Sequence, residues 1–421
     1  LKMRVLVLAS YVPSLYKGAE IRLLHLLRHL SRSHEVMLWA INRRGVPEEE
    51  IAALLPDCEL ALQDWPPLTQ GGIKGRIGRS GWYRQLQRGR SLFSPTPAAI
   101  DKIYHPNLKL SLQKLLAERR FDLTHVNQIM VWQYLPQPAD VPVILCKDNV
   151  WADLAEVEAE AAAGILSRRI KQLDADRMRR YETAAVASSD HCVVVSKADA
   201  VLVRQLAPAA PMSVIPNGVD IDYFRPSPET AERPHLVFTG AMGWPPNADA
   251  MLYFGREILP CIQSRFPEVQ LFIVGLHPPE AVKALGQQPH VHVTGFVADV
   301  RPYMADASVY IVPLRSGSGT RLKILEALAM GKAVVSTRVG AEGLDVVDGR
   351  HLLLADEPEE FAAAVCDLLQ DPTRRQALGQ AGRALVEADY DWKAIAADLD
   401  RVYHQVVQPK GEVSLHPQMT I

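Results

Sequence analysis

Short β-branched apolar runs alternate with helix-patterned segments along most of this sequence. This alternation constrains the fold more than any other feature, because it produces parallel βαβ units. In the first half, strands are expected at residues 3–10, 34–41, 123–128, 141–147 and 191–196. In the second half they are expected at 235–240, 269–275, 291–296, 307–313 and 333–337. Between them, 20–30 reads as a helix with Ile21, Leu24, Leu27 and Leu30 on one face, and 156–187 reads as one longer helix. The pattern restarts near 211–224, where Pro216, Asn217 and Gly218 mark a turn. The fold class is therefore α/β, with two doubly wound parallel-sheet domains at 1–210 and 211–389. Residues 390–407 read as an amphipathic helix, and 408–421 as a disordered tail.

Composition excludes several classes. The 46 Lys and Arg nearly balance the 48 Asp and Glu, so a dedicated nucleic-acid binder is not expected. Cys58, Cys146, Cys192, Cys261 and Cys366 are scattered without metal-ligand spacing, which suits buried thiols in a reducing cytoplasm. No metal site is expected. The opening residues LKMRVLVLAS read as a first strand and not as a signal sequence, and no apolar run is long enough to span a membrane.

In open parallel sheets, ligands bind beyond the carboxyl ends of the strands. The richest such segment is SGSGTRLKILEALAMGKAVVST, where a glycine loop leads from a strand into a helix. Thr320 is a candidate N-cap. Free N–H groups at a helix start attract anions, and Arg321 and Lys323 add positive charge, so the loop suits a diphosphate. Glu326 lies on the same helix face as Lys323 and suits the vicinal hydroxyls of a ribose. The same two residues could instead form a surface ion pair. Gly18, Gly240 and Gly243 lie at other strand ends or helix starts, and Phe296-Val297 could face a base edge. The GxGxxG pattern of nicotinamide-binding folds is absent there.

Taken together, KGAEIRLLHLLRHL, RRYETAAVASSDHCVVVSKAD, VIPNGVDIDYF, LVFTGAMGWPPNADA and VHVTGFVADVRPYMADASVYIVPL resemble, in order, the retaining nucleotide-sugar glycosyltransferases of family 4. The resemblance covers most of residues 3–405. It implies the GT-B fold, with two Rossmann-like domains facing across a cleft. It also implies an acceptor-binding N-terminal domain, a donor-binding C-terminal domain, and a final helix packing back onto the first domain.

By the same resemblance, Glu326 matches the second Glu of the E-x7-E motif, which holds the ribose hydroxyls. The first Glu is replaced by Ser318, in a loop of Gly317, Ser318, Gly319 and Thr320. The family's Arg and Lys after the first C-terminal strand are missing, and Asn247 stands near the Lys position. Diphosphate neutralisation then falls to Arg321 and Lys323. His125 matches a functional histidine of the family or is a satisfied strand-end histidine. Asn127, Asp148 and Asn149 fall on the acceptor side. The implied activity is retaining, metal-independent hexosyl transfer to a glycan, glycolipid or small-molecule hydroxyl, in cell-surface polysaccharide or glycolipid synthesis. The donor is a nucleoside diphosphate sugar, and no cofactor is needed. The alternatives are a GT-B sugar-nucleotide epimerase and a non-catalytic nucleotide-sugar-binding protein.

Residues 71–93 carry Lys74, Arg76, Arg79, Arg84, Arg88 and Arg90, with Trp82, Tyr83 and Phe93 and no acidic residue. They read either as a contact with an anionic membrane through 74–93 or as a solvated loop. The expected location is the cytoplasm, in the first reading at the inner membrane face.

Overall fold

A computed structural model describes residues 2–15, 18–65, 94–227, 233–317 and 321–408. The expectations for Ser318, Gly319 and Thr320, for the 74–93 segment, and for the tail beyond Gln408 lie outside these residues. The chain forms two compact units, residues 1–215 with 396–421 and residues 216–395.

The first unit holds a seven-stranded sheet in which all paired strands run parallel. Its strands are β1 (Arg4–Ala9), β2 (Glu35–Asn42), β3 (Glu59–Asp64), β4 (Leu123–Asn127), β5 (Val143–Lys147), β6 (His191–Val194) and β7 (Met212–Val214). They lie in the order β3-β2-β1-β4-β5-β6-β7. The order reverses between β1 and β4, so their carboxyl ends flank the crevice where such sheets bind ligands. Both strands are buried along most of their length, as continuous apolar runs in helix-covered parallel sheets require. Trp39, Tyr134, Leu6 and Leu8 fill the core beneath them.

The second unit holds β8 (Arg233–Thr239), β9 (Gln270–Val274), β10 (Val291–Gly295), β11 (Ala307–Val312), β12 (Ala333–Ser336) and β13 (Leu353–Leu354). Their order is β10-β9-β8-β11-β12-β13, again parallel, with its switch point between β8 and β11. Phe238, Tyr310, Phe254 and Phe361 lie in this core.

The sequence reading differs from the structure in two places. The long helix expected over 156–187 is two helices, Trp151–Glu160 and Ile165–Ser188. The first helix is capped by Ala161, and Gly164 is the N-cap of the second at φ +82°, a conformation that glycine adopts without a Cβ penalty. Strands β3, β7 and β13 were also not expected. They are half-buried edge strands or only two to three residues long, and they lack the apolar runs that reveal the central strands.

The final helix, Trp392–Val407, belongs to the first unit from Ala396 onward. Ile395, Leu399 and Val402 are buried on it, as their spacing predicts. Its Tyr403 hydroxyl lies 2.5 Å from His125 Nδ1, and its Asp400 carboxylate lies 2.6 Å from His34 Nε2.

Candidate functional site

Polar groups gather at the carboxyl ends of the strands in each unit. In the second unit, β8 runs into Gly240 and β9 into Gly275. A Cβ on Gly275 would fall 1.8 Å from the Gly240 carbonyl oxygen, so only glycine lets these two strand ends approach so closely. Above them the helix Leu322–Ala329 starts at the end of the glycine loop, with Arg321 at its N-cap position.

Lys323 reaches from this helix to the loop that follows β8. Its Nζ donates to Asn247 Oδ1 at 2.9 Å and lies 3.8 Å from the centroid of the Phe238 ring. A Cβ on Gly240 would approach that Nζ to 2.8 Å. Asn247 Nδ2 in turn donates to the carbonyl of Ala241, so Asn247 joins the lysine to the loop. Lys323 therefore does not form the helix-surface ion pair with Glu326 that the spacing also allowed. The Glu326 carboxylate has no hydrogen-bond partner among the described residues and is half-buried. Burial pushes it up to about 7, against the pull of Lys323. Burial and the neighbouring Arg321 push Lys323 down to about 7. Burial also lowers Arg321, with Glu342 opposing, and Arg321 packs its guanidinium against Gly317. Beneath Glu326, the Tyr310 hydroxyl bonds Thr239 Oγ1 at 2.5 Å.

Among the other residues read as donor contacts, Gly243 packs against His277. Phe296 is exposed, and Val297 is half-buried against the core.

In the first unit a cavity of about 630 Å³ opens at the switch point. Ser10, Tyr11, Glu20, Gln128, Met130 and Trp151 line it, with Arg43, Arg44 and Lys102 also on its wall. Tyr11 brings together two residues expected from the sequence. Asn127 Nδ2 donates to its hydroxyl at 2.7 Å, and that hydroxyl reaches Asp148 Oδ2 at 3.4 Å. Asp148 also accepts from Gln128 Nε2 at 2.9 Å and pairs with Arg22 at 3.7 Å. Burial raises the Asp148 carboxyl, while Arg22, Gln128 and Tyr11 pull it down. Arg44 pairs with Glu20 at 2.7 Å. Gly18 opens the helix Gly18–Leu30 that carries Glu20 and Arg22. Asn149 is half-buried beside Asp148.

His125 has no hydrogen bond to this network among the described residues. It lies within β4, two residues before the strand end, is 1% exposed, and bonds Tyr403. Burial, with Arg22, lowers it to about 3, so it stays neutral. It does not line the cavity. Tyr11, Glu20, Arg22 and Gln128 were missed by sequence reasoning. Tyr11 and Gln128 were signalled only by their position just after β1 and β4, and Glu20 and Arg22 only by lying on the first helix.

Two parallel α/β units, each gathering its polar side chains beyond its strand ends, are the architecture of the GT-B fold. Residues 16–223 match the family model described as Glycosyltransferase Family 4, and residues 233–371 the one described as Glycosyl transferases group 1. The chain belongs to this family-4 group of glycosyltransferases. It is 32% identical over 215 residues to a phosphatidyl-myo-inositol mannosyltransferase of Mycobacterium tuberculosis, covering 48% of this chain and 56% of that protein. It is 31% identical over 217 residues to a GDP-mannose-dependent alpha-(1-6)-phosphatidylinositol monomannoside mannosyltransferase of Mycolicibacterium smegmatis, covering 46% and 56%. The chain thus spans about half the length of the curated relatives it matches. Its fold is similar to that of sucrose-phosphate synthase from Thermosynechococcus elongatus, with TM-score 0.69, 18% identity, and coverage of 96% and 99%.

Proposed function

We propose that the protein moves a sugar from a nucleoside diphosphate sugar to a hydroxyl acceptor, with retention and without a metal. One observation carries the reading. Lys323 is held by Asn247 and Phe238 at the carboxyl end of β8, while Glu326 keeps an unbonded carboxylate one turn further on. The ammonium suits a diphosphate, and the carboxylate suits a pair of ribose hydroxyls.

As the glycosidic bond breaks, negative charge grows on the leaving diphosphate. Lys323 and Arg321 stabilise that charge from fixed positions. A departing phosphate oxygen takes the acceptor proton, so no protein nucleophile is needed. No group of His, Cys, Asp and Glu among the described residues is arranged to hold a metal. The acceptor belongs to the first-unit cavity, where Arg43 and Lys102 favour an acceptor that carries an anionic group. His125 is assigned to packing and not to proton transfer.

The curated relatives are named as mannosyltransferases acting on phosphatidylinositol-based lipids, and one is GDP-mannose-dependent. GDP-mannose is therefore the donor to test first, and a glycolipid or cell-surface polysaccharide precursor the acceptor. Calorimetry with the wild type and Glu326→Ala tests the donor site. The substitution should weaken nucleotide-sugar binding by roughly tenfold or more, as expected for lost charge-assisted hydrogen bonds. Unchanged binding would remove the ribose assignment. Turnover that survives EDTA, and a product that keeps the donor's anomeric configuration by NMR, would support the rest.

A further inference from the structure

Surface helices normally bury their apolar stripe. The hairpin of Trp151–Glu160 and Ile165–Ser188 does the opposite at its tip. Glu182 accepts from the backbone N–H groups of Trp151 and Ala152, so residue 182 lies level with the start of the first helix. Arg179 pairs with Glu156, and Lys171 reaches the carbonyl of Glu158, so the two helices run antiparallel from that level. Ser188 delivers the chain to the amino end of β6. The opposite end of its helix therefore points past the carboxyl ends of the strands. From Glu182 back to Ile165 the helix extends about 25 Å.

At that end the large apolar side chains face water. Ile165 is 79% exposed, Leu166 73%, Leu173 54% and Ile170 40%. Leu166, Ile170 and Leu173 share one stripe at helical spacing. Arg168, Arg169 and Lys171 surround it, all exposed, and no acidic residue occurs from Ile165 to Leu173. Val157 of the first helix adds another exposed apolar side chain.

We propose that this hairpin tip docks into the surface of an anionic lipid bilayer. The exposed carboxylates of Glu158 and Glu160 lie on the first helix, and the apolar stripe of the second helix is flanked by Arg168, Arg169 and Lys171. Apolar side chains beside cations match the two parts of such an interface, acyl chains below and anionic headgroups around. A second copy of the chain fits poorly. A two-fold contact between narrow hairpin tips would cover only one side of a stripe that lies open on the helix. The tip is also exposed on every side from Ala163 to Leu173, which suits a medium that surrounds it more than a flat protein face. The inference does not depend on the glycosyl-transfer reading.

The test uses the full chain in sedimentation with phosphatidylcholine vesicles, with and without phosphatidylglycerol. The wild type should pellet only with the anionic vesicles, and added salt should weaken the binding. The triple variant Leu166→Ser, Ile170→Ser and Leu173→Ser should lose roughly tenfold or more in affinity. Arg168→Gln with Arg169→Gln and Lys171→Gln should also lose roughly tenfold or more. All these positions are exposed, so the fold should be unaffected. As a second readout, an environment-sensitive dye on Leu166→Cys, in a Cys261→Ser background, should shift its emission with anionic vesicles only. Cys261 is the exposed native thiol among the described residues. Absence of wild-type binding, or binding unchanged in the triple variant, would overturn the proposal. So would a wild-type dimer in light scattering that the triple variant abolishes, without vesicle binding.

Discussion

Lys323 and Glu326 have been pushed toward the same pKa, one down to about 7 and the other up to about 7. Burial drives both shifts, because it penalises the ammonium and the carboxylate alike. If the lysine meets a diphosphate as a cation and the glutamate meets ribose as a carboxylate, binding requires the doubly charged form. With both groups near 7, that form is about a quarter of the protein at about pH 7, and about a twelfth one unit to either side. Affinity for a nucleoside diphosphate sugar should therefore peak near neutrality and fall about threefold per unit on each flank. The sugar conjugate is the right probe, since its phosphates are diesters, whereas a terminal phosphate titrates near pH ~6. Calorimetric titration between about pH 6 and 8 reads the profile. Glu326→Gln removes the rising limb and should leave an affinity that falls at least about tenfold across that range, as Lys323 loses its proton. Lys323→Met should leave weaker binding that rises about tenfold as Glu326 ionises. A flat wild-type profile, or a peak that survives Glu326→Gln, would refute the assignment of these two charges.

Two further outcomes test the first unit. Glu182→Ala strands the buried ammonium of Lys147 and the backbone N–H groups of Trp151 and Ala152, and should cost about 3–5 kcal/mol in denaturant unfolding. A loss under about 1 kcal/mol would mean that water or another group replaces the carboxylate. Tyr403→Phe removes the partner of His125 Nδ1 and should cost about 1–3 kcal/mol with kcat unchanged. A fall in kcat without a fall in stability would return His125 to the chemistry.

The central strands were legible because parallel sheets covered on both faces demand continuous apolar runs, and Arg4–Ala9 and Ala307–Val312 supply them. Strand β3 hid because half of an edge strand's surroundings is solvent, and its ELALQD sequence has no such run. The helix break at Gly164 hid because alanines on its N-terminal side continue the helical composition. In the second unit, a strand, a glycine loop and a charged helix follow one another in sequence, so Lys323 and Glu326 could be singled out. The partner of Lys323 was harder to find, since Asn247 is 76 residues away and meets it only through the sheet order. The network around Tyr11 was illegible for the same reason. Its members come from three strand ends, and no local spacing links Tyr11 to Asp148, 137 residues on.

The return of the last helix to the first unit bears on how the chain matures. His34 bonds a carboxylate 366 residues downstream, and His125 a hydroxyl 278 residues downstream. During synthesis the amino-terminal sheet must therefore wait, with the surface that Tyr403 covers still open, until the ribosome has completed the whole second unit. Contacts this distant in sequence form slowly and leave apolar surface exposed meanwhile. A chain that ended at Ile395 would be a second unit attached to an unfinished first one, and a natural client for chaperones.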